Sequence, residues 1–216
     1  MAGKIELVEH QVELKDFPLE PCLEMVAAAT GDPVAYVRWT EQWSSEKCRQ
    51  FAKQLMEWKI WEPIRDVELT FEMVTNRTVA TKIHFYAQSC LRTDVVDEFL
   101  HPDKCLKVIM PAAIKGTLEE ALWREQIEEA YDVYLYLLEH GHKPDDACSV
   151  LPLETKALGI SATMRLTGFR DFLKSYTGKD AWPEVRLLAR KMAQTFVKLL
   201  PNDAFLIEDV WHKEVE

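Results

Sequence analysis

At 216 residues, with 48% apolar side chains, 29% charged ones and seven glycines, the chain can bury a sizeable core and has neither a disordered nor a fibrous composition. A formal net charge of −10 argues against broad, sequence-independent nucleic-acid binding, which relies on clustered Lys and Arg. No apolar run approaches the ~20 residues of a membrane span, and the opening MAGKIELVEH lacks the apolar stretch of a secretory signal, so cytoplasmic residence is the expectation.

In chain order, Ile5-Glu6-Leu7-Val8 is short and strand-like. From Glu20 to Thr30, Cys22, Leu23, Met25, Val26 and Ala29 recur on one helical face, which Gly31-Asp32-Pro33 stops. Ser44 or Ser45 caps a second helix with Cys48, Phe51, Ala52, Leu55 and Met56 as its apolar stripe. Trp58 and Trp61 follow, suited to core or subunit-interface packing.

The stretch 60–99 organises the rest. Val67, Leu69, Phe71 and Met73 alternate with Glu68, Thr70 and Glu72, the period of a half-buried strand. Asn76 then offers an N-cap, and Val79, Ile83, Tyr86 and Cys90 continue at helical spacing. Cys105 to Met110 is apolar and ends at Pro111. The longest helix is expected after Gly116, opened by the capping box Thr117-Leu118-Glu119-Glu120 and ended by Gly141. Its expected buried face is Leu118, Leu122, Ile127, Ala130, Tyr134, Leu137 and Leu138. A strand around Gly159–Met164, a helix over about Thr167–Tyr176 and a helix over Asp180–Leu200, with Pro183 in its first turn, complete the pattern.

The five cysteines (Cys22, Cys48, Cys90, Cys105 and Cys148) are scattered without a C-x-x-C pair and read as buried thiols. The six histidines show no spacing with Cys or carboxylates that suits a metal, and no structural metal is expected.

Three segments carry a resemblance. Trp61 and Pro63 match a lead-in reading roughly His-Trp-Ser-Pro-Phe-Glu-His, and Leu69-Thr70-Phe71 matches the strand after it. Lys143 to Leu153, ending Val150-Leu151-Pro152-Leu153, is similar to a Pro-x-Asp-Ala-Arg-x-Val-Leu-Pro-Leu stretch. Trp182-Pro183-Glu184-Val185-Arg186 is similar to Ala-Gln-Trp-Glu-Ile-Arg. In this order they resemble the flavin-dependent thymidylate synthases over nearly the whole chain. The resemblance implies an α/β (α+β) fold in one domain, residues 1–216, with a small sheet packed against long helices. It also implies a homotetramer with active sites at subunit interfaces, a pyrimidine nucleotide substrate, FAD, and NADPH and methylenetetrahydrofolate as co-reactants.

The family's chemical residues are replaced. Phe85-Tyr86-Ala87 stands at its Arg-His-Arg, Val95 and Asp97 at the Ser and Arg of its Ser-x-Arg-Tyr tail, Cys148 at the arginine before Val-Leu-Pro-Leu, and Tyr176 at a late arginine. Glu62 and Arg65-Asp66 replace lead-in residues that help hold flavin in the family. A charge-assisted hydrogen bond is worth about 1.5–3 kcal/mol. Losing several phosphate-binding arginines therefore costs on the order of 5 kcal/mol, roughly a thousandfold in affinity. Tyr86 and Tyr176 become the candidate catalytic residues, offering ring faces for stacking and hydroxyls for hydrogen bonding. Phe85, Arg92, Cys148 and Arg165 are candidates for holding substrate, and Glu62, Arg65 and Arg77 for holding the cofactor. Three readings stay open: a diverged enzyme acting on C5 of a pyrimidine nucleotide or modified pyrimidine, a non-catalytic binding module partnering an active relative, and a structural oligomer with a filled cleft.

Overall fold

A computed structural model describes residues 4–17, 44–65, 67–92, 105–152 and 154–211. The helix expected over 20–30, Cys22, Asp66, Val95, Asp97 and Leu153 lie outside them. The elements in chain order are β1 (Ile5–Leu7), β2 (Gln11–Asp16), α1 (Ser45–Glu57), α2 (Glu62–Arg65), β3 (Glu68–Asn76), α3 (Arg77–His84), β4 (Ser89–Arg92), β5 (Leu106–Val108), α4 (Glu120–Glu139), α5 (Pro144–Ala147), β6 (Ala157–Arg165), α6 (Leu166–Tyr176), α7 (Pro183–Leu199) and α8 (Phe205–Glu208). β1 pairs with β5, and a four-stranded sheet has the order β2-β3-β6-β4. This is the small sheet with long helices that the resemblance implies. Among the described residues no helix is long and apolar enough to cross a membrane.

The chain divides into two compact units, one of Met1–Gln11, Met73–Thr81 and Leu91–Ile160, the other of Val12–Glu72, Lys82–Cys90 and Ser161–Glu216. In the first, β1 and β5 run parallel, Ile5 beside Leu106 and Leu7 beside Val108. Leu106 and Val108 meet Ile127, Tyr131, Tyr134 and Leu135 of α4 in one apolar cluster, closed by Ala147 and Leu151. Asn76 caps α3 as expected, its Oδ1 accepting from the Val79 amide at 3.0 Å.

In the second unit, Ser44 caps α1 by accepting from the Lys47 amide, and Cys48, Ala52 and Leu55 are buried. Phe71 packs on Phe169 of α6 at 5.1 Å between centroids, and Phe169 on Phe196 of α7 at 5.8 Å. The guanidinium of Arg170 lies 4.9 Å from the Trp61 ring centroid, pairs with Asp209 at 2.8 and 2.7 Å and donates to the Leu206 carbonyl.

Four expectations are corrected. The helix after Asn76 does not reach Cys90: it ends at His84, and Cys90 lies in β4. Helical spacing of apolar residues persists there, but the Gln88 amide donates to the Thr163 carbonyl at 2.8 Å, so sheet pairing claims the backbone first. The capping box does not form as read. The Thr117 hydroxyl donates to the Ile114 carbonyl (2.8 Å), and the Glu120 carboxylate takes the amide of Gly116 (2.8 Å), so α4 starts only at Glu120. Leu118 precedes α4 and Leu122 lies off its packed face, so they are 97% and 59% exposed, while Ile127, Tyr131, Tyr134 and Leu135 are buried. Among the described cysteines only Cys48 is buried; Cys90, Cys105 and Cys148 are partly exposed.

Candidate functional site

Phe85 and Tyr86, in the family's Arg-His-Arg stretch, and Tyr176, at its late arginine, assemble on one turn and one helix of the second unit. Helix α6 presents Gly168, Phe172, Ser175 and Tyr176 along one side, at spacings of four, three and one residue. The turn between α3 and β4 holds Phe85 and Tyr86, with the amides of Tyr86 and Ala87 both donating to the Ile83 carbonyl (2.9 and 3.0 Å). Tyr86 sits edge-on to Phe172 (5.5 Å, 70°) and to Tyr176 (5.9 Å, 83°), and Phe172 meets Tyr176 at 5.1 Å. These are attractive aromatic geometries, in which the electropositive edge of one ring faces the π-face of the next. The Tyr86 hydroxyl donates to Ser175 Oγ at 3.2 Å.

The cluster is graded from dry to wet. Phe172 is fully buried, Tyr86 and Tyr176 are half-buried, and Phe85 is 74% exposed. Burial first, then the neighbouring Tyr86 phenol, pushes the Tyr176 hydroxyl above its usual pKa. It therefore stays protonated at neutral pH and can donate a hydrogen bond.

Beside the turn stands a polar trio that sequence reading missed. With its amide oriented to satisfy both neighbours, Gln88 donates to Glu68 Oε1 at 2.8 Å and accepts from Arg165 Nε (2.8 Å) and Nη2 (3.2 Å). Arg165, an expected substrate contact at the end of β6, is thus tied to the end of the Tyr86 turn. At the other end of the site, Arg190 of α7 donates to the Thr177 carbonyl (3.3 and 3.1 Å), capping the C-terminus of α6 just past Tyr176.

The remaining candidates are not part of this cluster. Glu62 and Arg65 occupy the two ends of α2, both exposed, and α2 packs against α6. Arg92 ends β4, and its side chain lies outside the described residues. Arg77 and Cys148 belong to the first unit. Arg77 opens α3 with an exposed side chain, and Cys148 is half-buried in the turn after α5, its thiol pushed up by burial and partly eased by Lys156.

Sequence reading also missed Gly168, Phe172 and Ser175. The spacing of Phe172 and Tyr176 on a helix was the available signal for the first ring contact, whereas Ser175 and Gly168 carried none.

A model of the family described as "Thymidylate synthase complementing protein" matches residues 22–202. No curated protein matches the sequence. Among solved structures, a UMP/dUMP methylase, PolB, from Streptomyces cacaoi bound with 5-Br UMP matches with a TM-score of 0.72 and 18% identity, over 95% of this chain and 97% of that one. The same methylase bound with 5-Br dUMP matches with a TM-score of 0.68 and 17% identity, over 94% and 96%. At these identities the likeness establishes the fold.

Proposed function

The chain belongs to the thymidylate synthase complementing protein family, and on that premise we propose that it acts on C5 of a pyrimidine nucleotide or modified pyrimidine, in a pocket where aromatic rings replace guanidinium forks. The observation that carries this reading is the Tyr86–Phe172–Tyr176 cluster, two of whose rings stand at positions where the family has its Arg-His-Arg and its late arginine. The similar folds bound with 5-Br UMP and 5-Br dUMP support a pyrimidine ligand substituted at C5.

In this reading Phe85 contacts the pyrimidine face from the exposed side of the turn. Tyr176, protonated at neutral pH, donates to a pyrimidine oxygen, and Tyr86 is held by Ser175 so that its ring supports that phenol. Arg165, oriented by Gln88, is the cation offered to a substrate anion; Arg92 and Cys148 stay proposed substrate contacts on the family resemblance alone.

FAD fits the chemistry of the donors proposed for it. The Arg65 guanidinium suits a diphosphate and the Glu62 carboxylate, on the same short helix, suits ribityl hydroxyls; Arg77, in the first unit, is a cofactor candidate on the resemblance alone. When bound, the flavin supplies hydride chemistry, with methylenetetrahydrofolate as one-carbon donor and NADPH as reductant. The proposal further takes residues 1–216 as one functional domain that works as a cytoplasmic homotetramer.

A second reading, a non-catalytic binding or structural oligomer that partners an active relative, is favoured by one observation. The Tyr86 hydroxyl is already bound by Ser175 and its ring is flanked by Phe172 and Tyr176, as in a filled cleft. An absorbance spectrum of the purified protein with and without added FAD separates the two. Flavin bands that remain with the protein support the enzyme; a colourless protein that rejects FAD supports the second reading.

A further inference from the structure

Helix α6 carries a glycine in its first turn, where alanine would stabilise the helix more. Backbone conformation does not require it, because the only positive-φ glycines among the described residues are Gly116 and Gly141. Space does. A Cβ at Gly168 would stand 2.8 Å from the Tyr86 carbonyl oxygen, closer than real Cβ atoms come to any atom. That oxygen is backbone, so no side-chain rotation relieves the contact.

The turn has little freedom to retreat. The Tyr86 and Ala87 amides donate to the Ile83 carbonyl, the Gln88 amide to the Thr163 carbonyl at 2.8 Å, and the Tyr86 hydroxyl to Ser175. Gly168 and Phe172 are one helical turn apart and Ser175 and Tyr176 lie a further turn along, so the side of α6 that admits the carbonyl also receives the ring. We propose that Gly168 is the positioning residue of this site: by admitting the Tyr86 carbonyl against the first turn of α6, it sets where Tyr86 meets Phe172 and Tyr176 and how Phe85 is presented to a pyrimidine ring. The last part rests on the functional reading above; the placement of the tyrosines does not.

The test is Gly168→Ala in the full chain, with two readouts. One is the ionisation of Tyr176, followed by the resonance of ring-labelled tyrosine and assigned with Tyr176→Phe. The other is dUMP affinity by calorimetry. Displacing the turn withdraws Tyr86 and admits water, so the Tyr176 midpoint moves down toward 10, and dUMP binding weakens about tenfold or more. A lowered midpoint with unchanged dUMP affinity upholds the positioning role and removes the pyrimidine reading. An unchanged midpoint in a folded variant overturns the proposal, whatever the nucleotide does. If Gly168→Ala does not fold, amide exchange in the unaltered protein decides: slow exchange at Ala87 and Gln88 upholds a pinned turn, and exchange at open-chain rates overturns it.

Discussion

Tyr86 and Tyr176 meet edge to face with their ring centroids 5.9 Å apart and their planes at 83°. The Tyr86 hydroxyl donates to Ser175, next to Tyr176 in the same helix, and the Tyr86 phenol in turn raises the pKa of Tyr176. The two hydroxyls can still be told apart by substitution. Tyr86→Phe removes one partly exposed hydrogen bond and costs about 1 kcal/mol of stability. Tyr176→Phe removes the proposed donor and lowers turnover by about a hundredfold with little loss of stability. Urea denaturation and steady-state kinetics on both variants check this. Unchanged turnover in both removes the hydroxyls from the mechanism.

Alkaline pH should loosen the first unit through its buried tyrosines. Burial, then Cys148 and Tyr131, pushes the Tyr134 phenol up to about 12, and burial raises Tyr131 as well. The folded state keeps a proton that the unfolded chain releases near 10. The stability this brings is therefore complete below pH ~10 and is lost as pH rises from there to about 12. At about 1.4 kcal/mol per unit, Tyr134 accounts for roughly 2–3 kcal/mol of that loss. Tyr134→Phe should flatten the alkaline limb of a denaturation series; a limb of unchanged steepness contradicts the assignment.

Arg170 and Asp209 form a two-pronged pair whose partners differ in burial, the side chains being 7% and 58% exposed. Removing the buried cation also strips the Leu206 carbonyl of a donor and uncovers Trp61. Asp209→Asn leaves the buried Arg170 cation without its counter-charge and is expected to cost about 3 kcal/mol. Arg170→Met takes that charge out of the interior and leaves Asp209 solvated, so its cost, mainly the lost Leu206 contact, is about 1 kcal/mol. Equal losses from the two variants in urea denaturation would contradict this asymmetry.

Asn76 is 3% exposed and satisfies the Val79 amide at the start of α3. Asn76→Ala should cost about 1–2 kcal/mol, and Asn76→Asp or Asn76→Ser should recover most of it, because both keep a side-chain oxygen at the cap. Thermal unfolding of the three variants measures the difference; no recovery by either variant would locate the cost in packing instead of capping.

The sequence made β3 legible because one buried face forces alternation from Val67 to Met73, and Asn76 was legible as the cap that follows. It overran α3, since Tyr86 and Cys90 fit a helical period while the competing pairing of Gln88 with Thr163 is a contact between distant segments. Leu118 was misplaced for a related reason: where α4 begins depends on how the Ile114–Gly116 turn uses the Thr117 hydroxyl and the Glu120 carboxylate. At the site, Phe85, Tyr86 and Tyr176 were legible as replacements of charged positions. Gly168, Ser175 and Gln88 were not, because a close approach, a single hydroxyl and an amide bridge leave no periodic trace in the chain.

In the proposed site the rings carry most of the grip on the ligand, and Arg165, already bonded to Gln88, adds only a modest contact to phosphate. Calorimetric titration with deoxyuridine and with dUMP tests it most directly, since the two differ only in the phosphate. Affinities within about tenfold of each other are expected. A preference for dUMP of roughly a thousandfold would mean that strong guanidinium contacts remain, and would contradict it.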